Sequence, residues 1–215
     1  MTNKKTNLPP IHRKAGVRDE LLRSDWQYIK PHNMGDYTPE DWALMNQQRD
    51  VYQAEERARQ ALELLLASRH APTFGYLINN YEHCLQTATM LHKDGHDEET
   101  IVTGLFHDIG FIVCPENHGH FASNLLRPFI SEKNAWMLEH HEIFQRKHFQ
   151  GLEKMEGVDF VNAREQWRGH KFFNWTAEFI EYYDIAAVNP DMENSPIEFF
   201  EPMVRRVFAN QPSLL

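Results

Sequence analysis

The sequence predicts an all-α protein folded as a single helical domain. Apolar residues recur at the three- and four-residue spacing of amphipathic helices through most of the chain, and sustained strand-type alternation is rare. The 215 residues suffice for one substantial domain with its own core. The hydrophobic fraction of 41% and the charged fraction of 25% are those of an ordinary globular protein.

Capping signals define the predicted helices. In DYTPEDW, Thr38 is expected to be the N-cap, with Pro39 at the first helical position and Asp41 completing a capping box. Ser131 is expected to cap a later helix in the same way. The segment 149–170 is predicted to be irregular, with a short helical piece at NAREQW. Helices are predicted over about 38–68, 76–93, 97–110, 131–145, 171–187 and 196–209, with a short one after His118.

Composition also indicates the kind of protein and its partners. Residues 1–20 are predicted to be a mobile arm and residues 21–215 a helical domain with a metal-binding core at about 75–209. The N-terminus has no apolar signal-peptide core, and no window has the ~18 apolar residues of a membrane span. A net charge of −9 disfavours nucleic acid and anionic membranes as partners. We therefore expect a cytoplasmic protein with reduced, buried thiols at Cys84 and Cys114; the oligomeric state is open.

The chain contains 13 histidines, and helical phase separates inward from outward positions. His118 shares its face with Phe121, Ala122 and Leu125, whereas His120 shares its face with polar residues. In AWMLEHHEIFQ the phase favours His141 over His140 by a small margin. Taken singly, each inward histidine is more often a hydrogen-bonded core residue than a ligand.

The inward-facing histidines and aspartates indicate a metal site more strongly as a set than one by one. Five predicted helices each present an inward imidazole or carboxylate, and GLFHDIGFIV places two such residues side by side in an apolar run. Burying so many polar groups without a cation is costly, and a bound metal satisfies them together. The ordered series predicted to bind metal is His83, His107, Asp108, His118, His141 and Asp184.

This series resembles the H…HD…H…H…D ligand pattern of the HD-domain superfamily over roughly residues 75–209. The resemblance implies an HD-type helical bundle with a dinuclear metal centre. It implies that His83, His107 and Asp184 hold one metal together with Asp108. Asp108 would bridge to a second metal, which is held also by two further ligands, His118 and His141.

The superfamily contains two chemistries. The stretch NYEHCLQTATMLHKDGHDEETIVTGLFHDIG is similar to the organophosphonate-cleaving oxygenases, which, like myo-inositol oxygenase, use a mixed-valent Fe(II)/Fe(III) pair. The resemblance implies a di-iron oxygenase that uses dioxygen to oxidise a C–H bond of a small polar substrate, such as an organophosphonate or an amine-containing compound. The alternative is an HD phosphohydrolase acting on a nucleotide or another phosphate ester with Mn, Co, Zn or Mg. A third class is a catalytically silent metal-binding domain.

Further residues are candidates for catalysis or substrate binding. Phe111 stands where the related oxygenases carry a histidine or a lysine that contacts substrate. Asp108 and Tyr76 are the catalytic candidates, since Tyr76, two helical turns before His83, could shield the iron; the alternative is a core tyrosine. The aromatic-rich region 149–175 is expected to form core and lid, or a wall for a cationic head group. The remaining substrate candidates, with solvated side chains as the alternative, are Gln145, Arg146, Lys147 and Arg164.

Overall fold

The computed structural model describes residues 21–149, 151 and 160–210. These residues form seven α-helices joined by turns and short 3₁₀ segments, and no strand occurs among them. The all-helical prediction is confirmed, while the predicted arm at 1–20 lies outside the described residues. The helices are α1 (Pro39–Leu66), α2 (Asn80–Lys93), α3 (Glu98–Phe106), α4 (His118–Leu126), α5 (Glu132–Gln145), α6 (Phe173–Phe179) and α7 (Ile197–Phe208).

The chain divides into two compact units, with the boundary between Tyr52 and Gln53 inside α1. In the first unit, Trp26 packs edge-on against Tyr52, and Gln27 exchanges hydrogen bonds with Gln48. The second unit contains α2 to α7 and all the predicted metal ligands. The predicted single domain over 21–215 stays a prediction. No helix in the described ranges combines the length and apolar character needed to cross a membrane.

Capping explains where α1 and α2 begin. The predicted capping box of α1 is confirmed: the Thr38 hydroxyl accepts from the Asp41 amide at 3.2 Å, and the Asp41 carboxylate accepts from the Thr38 amide at 3.0 Å. The predicted start of the second helix near Tyr76 is wrong. Asn79 and Glu82 form a second capping box, so α2 begins at Asn80.

Helix α3 lies at the centre of the second unit. Its residues Thr100–Phe106 are all buried, which fits a helix that is apolar around its whole circumference. It ends at Phe106 rather than at the predicted Gly110, and the chain continues in turns. His107 and Asp108 therefore emerge from the end of a buried helix into the interior. The same core contains the fully buried side chains of Leu91, Leu126, Met137, Phe144, Phe179 and Phe200.

The predicted continuous helix over 171–187 is interrupted. Helix α6 ends at Phe179 and continues as one π-helical turn, Ile180–Asp184, in which the Ile185 amide bonds to the Ile180 carbonyl at 3.1 Å. Single π-helical turns are frequent at functional sites because the extra residue redirects side chains. This turn ends on Asp184, one of the predicted ligands.

Candidate metal centre

Four histidine side chains converge in the interior of the second unit. His83 lies on α2, His107 directly follows α3, His118 begins α4, and His141 lies on α5. The Nε2 atoms of His83 and His107 are 3.0 Å apart, and those of His118 and His141 are 3.1 Å apart. The imidazoles thus form two pairs, each with both Nε2 atoms directed at the same point.

The second nitrogen of each ring is held by the backbone. Every Nδ1 atom of the four lies 2.7–3.0 Å from a backbone carbonyl oxygen. Because a carbonyl oxygen only accepts hydrogen bonds, Nδ1 carries the proton, and the lone pair of a neutral ring lies on Nε2. Two facing lone pairs need a proton or a cation between them. The carbonyls belong, in ring order, to Ala187, Gly104, Pro115 and Leu138.

Asp108 lies between the two histidine pairs. Its Oδ1 atom is 3.1 Å from Nε2 of His118 and 3.2 Å from Nε2 of His141. Its Oδ2 atom is 3.7 Å from Nε2 of His83. The Asn80 side-chain amide donates to the Asp108 carbonyl at 3.0 Å. One carboxylate therefore faces both pairs, and its backbone is held by the first turn of α2.

Asp184 adds a second carboxylate to one pair only. Its Oδ1 atom lies 3.3 Å from Nε2 of His83 and 3.6 Å from Nε2 of His107. Its Oδ2 atom accepts a hydrogen bond from the Gln145 side-chain amide at 2.7 Å. Gln145, a substrate candidate in the sequence, thus orients a carboxylate of the cluster.

The charges of the cluster depend on each other. Burial works against protonation of His83, but its hydrogen bond to Asp184 and the charge of Asp108 outweigh this effect and raise the His83 pKa to about 9. Burial likewise opposes protonation of His118, whose hydrogen bond to Asp108 raises its pKa to about 9. Burial of Asp108 favours its neutral form, but the charge of His107 and imidazole hydrogen bonds lower its pKa well below the usual range. Protons and cations therefore compete for the same nitrogens.

Helices α4 and α5 pack closely where they carry His118 and His141. A Cβ atom on Gly119 would lie 2.5 Å from the Leu138 carbonyl oxygen and 3.0 Å from the His141 ring, so only glycine fits there. The Gly119 amide donates to the Glu142 carboxylate at 2.8 Å. Sequence reasoning missed Glu142, since nothing in the helical pattern marks a partner 23 residues away.

Two neighbouring histidines, His120 and His140, lie outside the cluster. His120 is exposed, with 57% of its side-chain surface accessible, and lies 3.8 Å from Glu139. His140 stacks on Trp136 with ring centroids 4.1 Å apart. His120 thus points outward as its helical phase predicts, whereas His140 is buried like His141, and the phase favours His141 over it only by a small margin.

A cavity of about 410 Å³ opens above the cluster. His83, Asp108, His118 and Asp184 lie among its lining residues. Within the described ranges, no lysine or arginine lines it. The other lining side chains that matter below are Phe74, Phe111, Gln145, Phe149, Ile185 and Val188.

Tyr76 is not placed as its predicted helical phase requires. It lies in a turn before α2, with its amide bonded to the Thr73 carbonyl at 3.0 Å, and it is 62% exposed. The expectation that it sits two turns before His83 on the same helix is wrong, because the capping box at Asn79 starts α2 later. Tyr76 nevertheless lines the cavity.

Three basic substrate candidates lie away from the cavity lining. Arg164 is buried, with its guanidinium carbon 5.7 Å from the Phe144 ring centroid and 5.6 Å from that of Phe173. Arg146 lies over Phe160, and Lys147 is not a lining residue. Their predicted role in substrate binding stays a prediction.

The remaining sequence predictions for this region have mixed outcomes. Cys84 is buried as expected, whereas Cys114 is only half-buried because it follows the turns after α3. In the described part of 149–175, Trp167 and His170 pack with Trp136, which favours a core role for this aromatic region. Phe149 instead lines the cavity.

Comparison with known proteins leaves the interpretation to the site itself. No protein-family model matches the chain, and no curated protein matches it. The histidine–aspartate cluster and the cavity above it are therefore the basis for the functional proposal.

Proposed function

We propose that this protein is a di-iron oxygenase of the HD-domain type. The observation that carries the proposal is the set of four Nε2 atoms that face each other in two pairs on either side of Asp108. Since backbone carbonyls hold every Nδ1–H, these nitrogens are arranged as acceptors for cations. The residues thus fit a pair of metal ions.

The donor atoms suit divalent and trivalent transition metals. Imidazole nitrogen combined with carboxylate oxygen binds iron, zinc, manganese and cobalt. His83, His107 and Asp184 would hold one ion and His118 and His141 the other, with Asp108 shared between them. When bound, a pair of irons supplies the chemistry that activates dioxygen and removes a hydrogen atom from a C–H bond.

The surrounding residues hold this arrangement and place apolar side chains beside it. Gln145 fixes the orientation of Asp184 through its 2.7 Å hydrogen bond, and Asn80 fixes the backbone at Asp108. The Phe111 ring lies edge-on to His118, with ring centroids 5.5 Å apart, and lines the cavity beside the cluster. An apolar wall protects a reactive oxidant from water and directs it to the substrate.

The second candidate is a metal-dependent phosphohydrolase, because the same nitrogen and oxygen donors also bind zinc, manganese and cobalt. A phosphate substrate is usually gripped by arginine or lysine near the metals. Among the described lining residues neither is present, and Phe111 takes a position close to His118 instead. This difference supports the oxygenase over the hydrolase.

The two functions are separated by loading the protein with iron or with zinc. For the oxygenase, partial oxidation of the iron form should give the electron paramagnetic resonance signal of a coupled Fe(II)/Fe(III) pair, and dioxygen uptake should be confined to the iron form. A panel of phosphate esters, incubated anaerobically, should release no phosphate with either metal. Phosphate release that survives both zinc loading and the removal of dioxygen would establish the hydrolase instead. His140→Ala serves as the control, since His140 lies outside the cluster.

A further inference from the structure

The cavity wall is apolar from the cluster to the mouth. Phe111 and Ile185 line it near the metal ligands, and Phe74, Phe149 and Val188 line it while remaining 64%, 38% and 43% exposed. Exposed apolar side chains that cluster around a cavity are characteristic of a ligand-binding surface rather than of scattered surface residues. The wall therefore offers an apolar path from solvent to the cluster.

Two of these rings form a continuous aromatic surface. The Phe74 and Phe111 rings pack edge to face, with centroids 6.2 Å apart, and Phe111 in turn packs on His118. Phe74 has a φ angle of 53°, which is uncommon for a residue other than glycine. Such conformations persist where the surrounding structure holds them and are concentrated at binding sites.

Outside the cluster, five polar side chains line the cavity, and three of them are engaged in internal hydrogen bonds; the other two are the hydroxyl-bearing Thr73 and Tyr76. Asn79 caps α2 and donates to the Arg69 carbonyl at 3.0 Å, Asn80 donates to the Asp108 carbonyl, and Gln145 donates to Asp184. The carboxylates of Asp108 and Asp184 face the histidine pairs. The wall thus offers few polar groups to a ligand and no side-chain cation from the described lining residues.

From this distribution we infer the substrate class, an inference that rests on the proposed function. The substrate is a small amphiphile with an apolar body and a single oxygen-bearing head group. The head group meets the metal pair, and the body lies along the wall formed by Phe74, Phe111, Phe149 and Val188. The charge of a phosphonate head group, which the sequence resemblance implies, would be met by the metal pair alone, because the described lining residues include no lysine or arginine.

The test measures binding rather than turnover. Isothermal titration calorimetry is carried out on the zinc-loaded protein with straight-chain 1-alkanols from butanol to octanol and with alkylphosphonates of the same lengths. Each added methylene should tighten alkanol binding about fourfold until the cavity is filled, as expected for transfer to an apolar site. The inference would be overturned if the affinity for the alkanols did not rise with chain length. It would also be overturned if alkylphosphonates bound with an affinity that did not depend on chain length.

Substitutions of wall residues test whether the alkanols bind along the wall. Phe111→Asn should weaken octanol binding about tenfold or more, and Val188→Asn, at an exposed wall position, should weaken it less. Phe199→Asn is the matched control, because Phe199 is 39% exposed on α7 and does not line the cavity; it should change binding less than twofold. Equal effects of Phe199→Asn and the two wall variants would also contradict the inference.

Repeating the alkanol series after chelator treatment separates the two proposals. The gain in alkanol affinity per methylene arises from contact with the apolar wall, so it should persist without metal. If the protein binds no metal but keeps this gain, the proposed function fails and the inferred apolar site stands. If the protein binds two metals but its affinity for alkanols does not rise with chain length, the substrate inference fails and the proposed metal centre is retained.

Discussion

The two halves of the candidate metal centre differ in how many ligands they contain. One half has His83, His107 and Asp184, and the other has His118 and His141, with Asp108 shared. A site with fewer protein ligands keeps more coordination positions open for small molecules. The half on α4 and α5 is therefore the better place for an exogenous ligand, and it should bind its metal less tightly.

The largest effect is expected from Asp108→Ala, which removes the one carboxylate that, among the described residues, faces both halves. Both ions lose an oxygen ligand, so the metal content measured by inductively coupled plasma mass spectrometry should fall from about two per chain to near zero. Circular dichroism checks that the helices remain. Retention of both metals by the folded variant would rule out the bridging role.

His141→Ala tests whether the two halves of the centre bind metal independently. It removes one of two imidazoles from the half on α5, so the variant should retain about one metal per chain, held by the half that includes Asp184. His140→Ala, one residue away and stacked on Trp136, should retain both. Loss of both metals from His141→Ala would show that the halves bind only together.

Gly119→Ala should weaken the same half without removing a ligand. The added Cβ would lie 2.5 Å from the Leu138 carbonyl oxygen, so α4 must move away from α5 and carry His118 with it. We expect a 10- to 100-fold lower affinity for the second metal and a loss of about 1–3 kcal/mol in the free energy of unfolding. Gly169→Ala is the control, since nothing lies within 4 Å of its added Cβ. Equal affinities in the two variants would contradict the predicted displacement.

As the pH rises, the melting temperature of the chelated protein and the affinity of the protein for metal should change in opposite directions. Without metal, the pKa values of His83 and His118 are raised to about 9 by their carboxylate partners. Their protonation therefore stabilises the fold fully below pH ~6.5, and this contribution is lost as the pH rises through about 9. The melting temperature of the chelated protein should fall over this range, while metal affinity rises because protons no longer compete. A melting temperature of the chelated protein that increases from pH 6.5 to 9 would contradict this account.

The smallest effect is expected from Tyr76→Phe. Tyr76 is 62% exposed in the turn before α2, so the substitution should change the free energy of unfolding by less than about 0.5 kcal/mol and leave metal content unchanged. Its role as a shield for iron is tested by the visible spectrum of the oxidised iron form. An identical spectrum in the variant would exclude a bond between the Tyr76 oxygen and iron.

The regular parts of the molecule were the parts that sequence could predict. Helical phase separated His118 from His120 because α4 is regular, and Thr38 marked the start of α1 through its side-chain chemistry. The sequence predicts too early a start for α2, because apolar residues continue on the N-terminal side of the Asn79 cap. Hydrophobic periodicity indicates which residues are buried, but it does not mark an N-cap residue that lies within an apolar run.

Other features depend on contacts between distant segments. The π-helical turn before Asp184 is set by packing and has no signal in residue spacing. The hydrogen bond from Gln145 to Asp184 spans 39 residues, and that from Asn80 to Asp108 spans 28. The cavity wall likewise joins segments that are far apart in the chain, so its apolar character appears only in three dimensions.

Anomalous X-ray diffraction at the iron absorption edge, measured on crystals of the iron-loaded protein, shows whether the cluster holds two irons and where they lie. Two peaks per chain are expected on either side of the Asp108 carboxylate, one beside His83, His107 and Asp184 and the other beside His118 and His141. The absence of peaks at these residues, or one peak that does not involve Asp108, would contradict this expectation.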